Sequence, residues 1–376
     1  MYNRLVLEIL WSIFRVLYRL GRRGVRPRPR PDEVRSVLLI STTGLGDTVM
    51  STAAFAAARK SWPRAKINAL LHRRWADLLT VSPYLDRIII YPGKFKGVRR
   101  VLREIQGLGA DAAVILHGND PDILPLAYLS GAGFVVGPAE SRFAFLLDRA
   151  VDFSNPERHY VERRVDMIRA AAGSAAPEGE QLFLSDASRE WALNFWRDRG
   201  LKAWERLIVL NPGGSHQAKR WPDGHWHELI DRLAKRAGTR IALFGSPAER
   251  TFLETLASGG DVLIVTRPSP LEAASLLERA EVMIGPDSGL AHVAVSLGIP
   301  ALILFGPDNP VLTGPMMNRA RAEVLQAGPG VCPDLAACRK KNCRIQACMI
   351  AITPQAVIET LERKFENFLD SPSRIE

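Results

Sequence analysis

Short apolar runs alternate along this chain with longer stretches in which apolar residues recur at helical spacing. Near the start, the run at residues 37–40 predicts a buried strand, and the glycines that follow it predict a tight turn at 44–46. An alanine-rich helix is predicted next, from about residue 47 to residue 60. The rest of this half predicts strands at 65–71, 87–91, 112–116 and 134–136 and helices at 98–106, 121–129 and 160–172. Strands that alternate with helices indicate a parallel sheet.

The second half repeats this pattern after a stretch of small residues at 173–179. It predicts strands at 207–210, 241–244, 262–265, 282–284 and 301–304 and helices at 224–236 and 354–369. A chain of 376 residues is long enough for two such domains. We therefore predict a first α/β domain at 35–178, a second at 179–353, and a C-terminal segment at 354–376 whose helix packs back toward the first domain.

Residues 1–34 differ from both domains. Between residues 5 and 20 the chain is strongly apolar, yet polar residues recur every three or four positions and form one narrow stripe on a helix. The charges at Glu8, Arg15 and Arg19 disfavour a membrane-spanning helix and a secretory signal peptide. We predict an amphipathic helix on a membrane surface, followed by an extended basic tether. Packing of the helix on the protein's own core is the alternative.

The formal net charge of +10 is unevenly distributed. Residues 1–35 hold nine arginines against three acidic residues, a net charge of +6. Because most of the excess lies in this one segment, the chain lacks the general basic surface of a nucleic-acid-binding protein. We therefore predict no nucleic-acid partner.

The four cysteines lie in one short stretch, at Cys332, Cys338, Cys343 and Cys348. Their spacing, C-x5-C-x4-C-x4-C, lacks the paired C-x2-C of a zinc ribbon. With no secretory signal predicted, we interpret them as reduced thiols of a C-terminal loop. A disulfide-bonded or metal-bound state is the alternative.

Asp47 follows the first predicted strand, at the carboxyl end where parallel α/β sheets bind ligands. Gly44 and Gly46 would let a ligand approach the backbone closely. The segment is neither a Walker loop, which needs Gly-Lys-Ser/Thr, nor a complete dinucleotide fingerprint. Asp47 is either a helix cap worth about 1 kcal/mol or a base that accepts a proton from a substrate hydroxyl. The local sequence does not decide between these roles.

Two loops of the second half contain groups suited to phosphate. The loop after residue 210 carries Gly214, Ser215 and Lys219, whose mobile ammonium is a point charge for an anion. A helix opens after residue 284 with the groups of a diphosphate site, namely Asp287, Ser288, Gly289 and, within the helix, His292. The plainer interpretations are a solvated loop, ordinary helix caps and a core histidine.

A third loop, at residues 244–250, places Glu249 just after a predicted strand. Its carboxylate can accept hydrogen bonds from ribose hydroxyls. Alternatively, it only favours the start of the following helix.

Three segments together resemble the family 9 glycosyltransferases, the heptosyltransferases of lipopolysaccharide core assembly. The segments are STTGLGDTVMSTAAF, NPGGSHQAKRWP and IGPDSGLAHVAVSLGIPALILFGP. The cysteine-rich CPDLAACRKKNCRIQACM is similar to a tail of many members. The resemblance implies a GT-B fold, with two Rossmann-like domains facing a cleft, the acceptor on the first and the nucleotide-sugar on the second.

The resemblance also implies roles for individual residues. Asp47 matches the base that deprotonates the acceptor hydroxyl, and Lys219 matches the lysine that holds the donor diphosphate. Glu249 falls at the acid placed on the donor ribose. Gly214 and Ser215 lie beside the diphosphate, and the donor loop matches Asp287, Ser288, Gly289 and His292. Family members are typically inverting and need no bound metal, so we expect no metal site in this chain.

We therefore predict an inverting glycosyltransferase without a cofactor, which moves heptose from ADP-heptose to a lipid A–core precursor. The predicted location is cytoplasmic, peripheral on the inner membrane, with residues 1–30 on the anionic surface. Residues 1–30 and the loop at 214–219 differ from the best-known members and leave donor and acceptor identity open. The alternatives are another nucleotide-sugar, such as an N-acetylhexosamine donor, or a non-catalytic membrane-bound glycan-binding relative.

Overall fold

The computed structural model divides into two compact units, Met1–Gln181 and Leu182–Glu376. The division falls close to the boundary predicted after residue 178. The described residues are 4–21, 25–93, 96–117, 121–176, 178–214, 216–257, 261–266, 269–316, 321–328, 330–332, 343 and 345–365.

The first unit is built on a six-stranded parallel sheet in the order β3-β2-β1-β4-β5-β6. Its strands are β1 (Ser36–Ser41), β2 (Lys66–His72), β3 (Arg87–Tyr91), β4 (Ala112–Ile115), β5 (Phe134–Pro138) and β6 (Arg149–Val151). Its helices are α1 (Arg4–Gly21), α2 (Leu45–Met50), α3 (Thr52–Ser61), α4 (Val98–Gln106), α5 (Ile123–Leu129) and α6 (Tyr160–Ala172). Every residue of β1 is buried, as expected of a central strand with helices on both faces.

The second unit repeats the architecture with the strand order β12-β11-β10-β7-β8-β9, again all parallel. Its strands are β7 (Arg206–Leu210), β8 (Thr239–Gly245), β9 (Val262–Thr266), β10 (Val282–Pro286), β11 (Ala301–Phe305) and β12 (Ala322–Gln326). Its helices are α7 (Asp186–Arg197), α8 (Asp223–Ala234), α9 (Arg250–Leu256), α10 (Pro270–Leu277), α11 (Gly289–Ser296), α12 (Pro310–Thr313), α13 (Ala347–Ile350) and α14 (Pro354–Lys364). The predicted pair of Rossmann-like α/β domains is confirmed.

The helix predicted from residue 47 to residue 60 is two helices, α2 and α3, which meet at Ser51. The Ser51 hydroxyl donates to the Asp47 carbonyl oxygen at 2.8 Å, a bond within one turn that bends helices. Two edge strands, β6 and β12, and four helices, α7, α10, α12 and α13, are additional to the predicted elements.

The N-terminal helix α1 packs one face on the core of the first unit. Phe14 is buried in that core, and Trp11 and Tyr18 pack against the same cluster. Trp11 Nε1 donates to the Arg142 carbonyl oxygen at 3.1 Å, and Arg142 forms an ion pair with Glu8. The alternative of core packing therefore holds for this face. None of the described helices combines the length and the apolar content that a membrane span needs.

The segment after α1 is fixed to the first unit at Arg26. The Arg26 guanidinium donates to Asp148, and its backbone N–H bonds to the same carboxylate at 3.0 Å. Two residues before β1 begins at Ser36, the buried side chain of Val34 anchors the chain again. The segment predicted as an extended tether is therefore attached to the first unit at Arg26.

The C-terminal helix α14 packs in the second unit. Val357, Ile358 and Leu361 lie in the core cluster formed with α8, and the Trp221 indole donates to the Ile352 carbonyl oxygen at 2.8 Å. The ion pairs of α14 with Arg236 and Glu323 also lie within the second unit, and the predicted packing toward the first domain stays a prediction.

Candidate active site

Asp47 lies in the first turn of α2, whose cap is Gly44. Leu45 and Gly46 are already helical, so the predicted tight turn at 44–46 is wrong. The backbone at Gly44 is extended (φ −73°, ψ 172°), and a Cβ there would meet Asp47 Oδ2 at an ordinary 3.6 Å. Asp47 is therefore not the helix cap, and glycine is not required at position 44 by its backbone conformation.

Asp47 is paired with Arg164 of α6. The Arg164 side chain is only 1% exposed, and its Nη2 donates to Asp47 Oδ1 at 2.6 Å. Its Nε donates to Ser51 Oγ at 3.2 Å, and Nη1 donates to the Tyr160 carbonyl oxygen at 2.8 Å. A guanidinium buried this completely requires an anion beside it, and Asp47 supplies that charge.

His117 follows β4, is almost wholly buried, and interacts electrostatically with Asp47. Its Nε2 accepts a hydrogen bond from the Thr42 backbone N–H at 2.7 Å, so a neutral ring carries its proton on Nδ1. Burial lowers the pKa of His117 to about 4, against the opposing influence of Asp47. The ring is therefore neutral at physiological pH.

The Asp47 carboxyl is held in its ionised form. Burial would raise its pKa, but the charge of Arg164, together with His117 and hydrogen bonds, outweighs burial and lowers the pKa below its ordinary value. The side chain keeps 37% of its surface exposed. An ionised carboxylate open to solvent at a strand end has the charge and access that a general base needs.

Lys219 is the centre of the polar cluster in the second unit. Its Nζ donates to Asp287 Oδ2 at 2.7 Å and also pairs with Asp308, which follows β11. Burial would lower the pKa of Lys219, but the two carboxylates outweigh burial and raise it. Lys219 therefore stays charged, with its ammonium fixed beside the residues that open α11.

The start of α11 brings together the predicted donor-loop residues. Ser288 caps the helix, since its Oγ accepts from the Ala291 N–H at 3.3 Å, and Gly289 is the first helical residue. His292 Nε2 lies 3.7 Å from Asp287 Oδ1, and both side chains are buried. The helix start adds partial positive charge next to the Lys219 ammonium, an arrangement suited to an anion.

Asn211 connects the loops of this cluster. Its Nδ2 donates to the Phe244 carbonyl oxygen at 3.0 Å, and its Oδ1 accepts from Ser288 Oγ at 3.1 Å. The ends of three strands, β7, β8 and β10, are thus tied to one amide side chain.

Glu249 stabilises its own loop. Its Oε2 accepts from the Ser246 N–H at 2.9 Å, and the Ser246 side chain accepts in turn from the Glu249 N–H, which completes a capping box. Oε2 also accepts from Ser246 Oγ at 2.7 Å. Arg220 Nη2 lies 3.8 Å from Glu249 Oε1. The Glu249 carboxylate fits here because residue 213 is glycine, since a Cβ at that residue would overlap Oε1. The helix-start interpretation of Glu249 holds, and its predicted contact with ribose stays a prediction.

The remaining predicted site residues are Gly214, Ser215 and the four cysteines. Gly214 lies against Lys219 and Arg220, and a Cβ there would make only ordinary contacts of 3.6 and 3.7 Å. Ser215 and Cys338 lie outside the described residues. Cys343 and Cys348 are free thiols. Within the described ranges, no group of three or more His, Cys, Asp or Glu side chains is arranged to hold a metal ion. The predicted independence from metal stays a prediction.

Four residues of these clusters were not singled out from the sequence: Arg164, His117, Asp308 and Asn211. Asp308 had a signal, because the ends of β10 and β11 read IGPD and FGPD, which puts two carboxylates at adjacent strand ends. His117 also follows a strand beside β1. Arg164 had no local signal, because only the packing of α6 against α2 and α3 brings it to Asp47.

Residues 124–346, more than half of the chain, match the profile of glycosyltransferase family 9 (heptosyltransferase). The chain belongs to glycosyltransferase family 9. The matched residues include the cluster around Lys219, and Asp47 precedes them. The transferase is 26% identical over 373 residues to lipopolysaccharide heptosyltransferase 1 of Pseudomonas aeruginosa, an alignment that covers 87% of this chain and 97% of that protein.

Two solved structures share the fold of this family 9 glycosyltransferase. A family 9 glycosyltransferase from Veillonella parvula has a TM-score of 0.78 at 22% identity and covers 93% of this chain and 100% of its own. The ADP-heptose lipopolysaccharide heptosyltransferase II of Escherichia coli has a TM-score of 0.74 at 23% identity, with coverages of 88% and 99%.

Proposed function

We propose that this family 9 glycosyltransferase moves heptose from ADP-heptose to a lipopolysaccharide core or lipid A precursor, with inversion at the anomeric carbon. The names of its relatives in Pseudomonas aeruginosa and Escherichia coli support the donor and the acceptor. The observation that carries the proposal is the Lys219 ammonium fixed beside Asp287 at the start of α11. Ammonium and helix start together suit a diphosphate.

In the proposed reaction, Asp47 accepts the proton of the acceptor hydroxyl. The acceptor oxygen forms the new bond to the anomeric carbon, and the bond from that carbon to the diphosphate oxygen breaks. The electron pair of the broken bond leaves with ADP. The two domains must bring Asp47 and the donor together for this step, and that meeting is part of the proposal.

On the donor side, negative charge grows on the leaving diphosphate in the transition state. Lys219 and the N–H groups at the start of α11 would stabilise this charge, which accelerates the step only as far as they bind the transition state better than the ground state. Ser288 would donate to a phosphate oxygen, and Glu249 would accept from the ribose. Asp287 holds Lys219 in place.

We also propose that the transferase works in the cytoplasm, attached to the inner membrane through α1. Ile9, Ile13 and Val16 recur on one helical face and are 51%, 47% and 54% exposed, whereas Phe14 faces the core. Arg15 and Arg19 lie along one side of this exposed face. An apolar stripe bordered by arginines suits an anionic lipid surface. The proposed lipid face is narrower than the sequence predicts, because Trp11, Phe14 and Tyr18 serve the core.

A nucleotide-binding screen tests the donor half of the proposal. Thermal unfolding of the protein is measured with ADP, UDP, GDP and CMP and then with their sugars, since a ligand that binds only the folded state raises the melting temperature. We expect a selective increase with ADP and ADP-heptose. A selective increase with UDP would replace the donor by another nucleotide-sugar. No increase with any nucleotide would favour a non-catalytic glycan-binding relative.

A further inference from the structure

We propose that Arg164 is a positioning residue for Asp47: its guanidinium fixes one carboxylate oxygen so that the other oxygen receives the acceptor's proton. This inference rests on the proposed function, in which Asp47 is the base.

The two carboxylate oxygens of Asp47 have different neighbours. Oδ1 accepts from Arg164 Nη2 at 2.6 Å, whereas Oδ2 lies on the side of Gly44, 3.6 Å from where a Cβ of that residue would stand. Arg164 is itself held at two further points, the Ser51 hydroxyl and the Tyr160 carbonyl oxygen. The rigid guanidinium therefore fixes the Asp47 carboxylate at a defined position relative to α6.

The charged surroundings give Arg164 a second effect on Asp47. The titratable groups that act on Asp47 are Arg164 and His117, and those that act on Arg164 are Asp47, Tyr160 and Arg163. The basic residues Arg59 and Lys60 at the end of α3 pair elsewhere, with Asp86 and Glu178. Arg164 thus supplies the full positive charge that contacts Asp47 among the described residues, and it keeps the carboxylate ionised at low pH.

Arg163 provides a matched control on the same helix. Its side chain is also buried, but it donates to three carbonyl oxygens, those of Phe153, Asn155 and Arg158. Within the described part of the chain, no hydrogen bond or ion pair joins Arg163 to Asp47. Arg163→Met should therefore destabilise the protein without changing the titration of the base.

The test measures kcat, KM for the donor and thermal unfolding as functions of pH for Arg164→Met, Arg164→Lys, Arg163→Met and the unmodified transferase. Arg164→Met should lower the plateau of kcat by about tenfold or more and move its acidic limb upward by about one to three pH units, with KM for the donor nearly unchanged. Arg164→Lys should keep the acidic limb in place but restore kcat only in part, since an ammonium lacks the fork. Arg163→Met should lower the melting temperature and leave the limb in place.

The proposal would be overturned if Arg164→Met left the pH profile of kcat unchanged in both its acidic limb and its plateau. It would also be overturned if Arg163→Met shifted the acidic limb as far as Arg164→Met does. If Arg164→Met does not fold, Arg164→Lys decides: wild-type kcat would overturn the positioning role, and reduced kcat with an unchanged limb supports it. The pH dependence of unfolding also tests the Asp47–Arg164 pair independently of transferase activity. In the unmodified protein, stability should fall as acid protonates Asp47, and Asp47→Asn should remove this dependence. If Asp47→Asn removes the dependence but the unmodified protein shows no transferase activity, the Asp47–Arg164 pair stands and the proposed function is overturned.

Discussion

Lys219 Nζ lies 2.7 Å from Asp287 Oδ2, and Asp287 immediately precedes the serine that caps α11. Both side chains are largely buried, with 18% and 8% of their surfaces exposed. This ion pair therefore fixes a cation at a helix start, where the backbone N–H groups add to its field. The donor half of the proposed reaction depends on this relationship.

Lys219→Met should weaken ADP binding by about 30-fold, because a hydrogen bond between charged groups is worth about 2 kcal/mol. Calorimetric titration with ADP measures this change. Lys235→Met is the matched control, since Lys235 is exposed at the end of α8 and should leave ADP affinity unchanged. Equal ADP affinity in the Lys219 variant and the unmodified protein would remove Lys219 from the donor site.

His117→Gln should flatten the dependence of stability on pH. The pKa of folded His117 is about 4, below the ordinary 6.5, so the unfolded chain binds the proton more readily. Its stabilising contribution is complete above pH 6.5 and is lost as pH falls toward 4, a change of about 3 kcal/mol at 1.36 kcal/mol per pKa unit. Glutamine can still accept from the Thr42 N–H.

Urea unfolding at several pH values between 7.5 and 4 measures this effect. A variant that loses stability with acid as steeply as the unmodified protein would show that His117 is not the group responsible.

Gly213→Ala should displace Glu249 and destabilise the protein by about 1 kcal/mol, the value of a helix cap. The new Cβ would overlap Glu249 Oε1, which lies beside the carboxylate oxygen that holds Ser246. Gly214→Ala is the matched control for stability, since its Cβ makes only ordinary contacts. When Glu249 is already replaced by alanine, Gly213→Ala should no longer lower the free energy of unfolding, because the overlapping Oε1 atom is absent. Additive costs in this double-mutant cycle would contradict the assignment.

Replacing Ile9, Ile13 and Val16 together by serine should reduce binding to anionic vesicles by about tenfold or more, because the apolar stripe is lost while the inner face of α1 is kept. Co-sedimentation with vesicles of anionic and of neutral lipid measures it. Leu193→Ser with Val311→Ser is the control, since these exposed apolar residues lie in the second unit. Vesicle binding that the α1 substitutions leave unchanged would exclude the stripe as the lipid contact.

The sequence was most informative where burial is complete. Central strands such as β1 and β10 are continuous apolar runs, so their positions and the two-domain architecture were predictable. Two edge strands, β6 and β12, were not predicted, whereas the edge strands β3 and β9 were, from their apolar runs. β6 is three residues long and mostly exposed, and β12 carries Glu323, because an edge strand is not enclosed on all sides and needs no apolar run.

The candidate site was predictable only as far as its groups lie next to strand ends in the sequence. Asp47, Lys219 and Asp287 follow strands and were found, and the repeated GPD could have added Asp308. Arg164 is far from Asp47 in sequence and lies within a helix, so only tertiary packing joins them. A buried arginine in α6 looks like any other helical arginine until its partner is known.

Transfer of heptose is the most direct test of the account. The transferase is incubated with ADP-heptose and a lipid A–core acceptor that lacks heptose, and ADP release and the mass of the acceptor are followed together. We predict ADP release matched by the addition of one heptose, and no transfer by Asp47→Asn at undiminished ADP affinity. Full transfer by Asp47→Asn would remove Asp47 as the base. An unmodified acceptor with ADP-heptose, together with transfer from another nucleotide-sugar, would contradict the proposed activity.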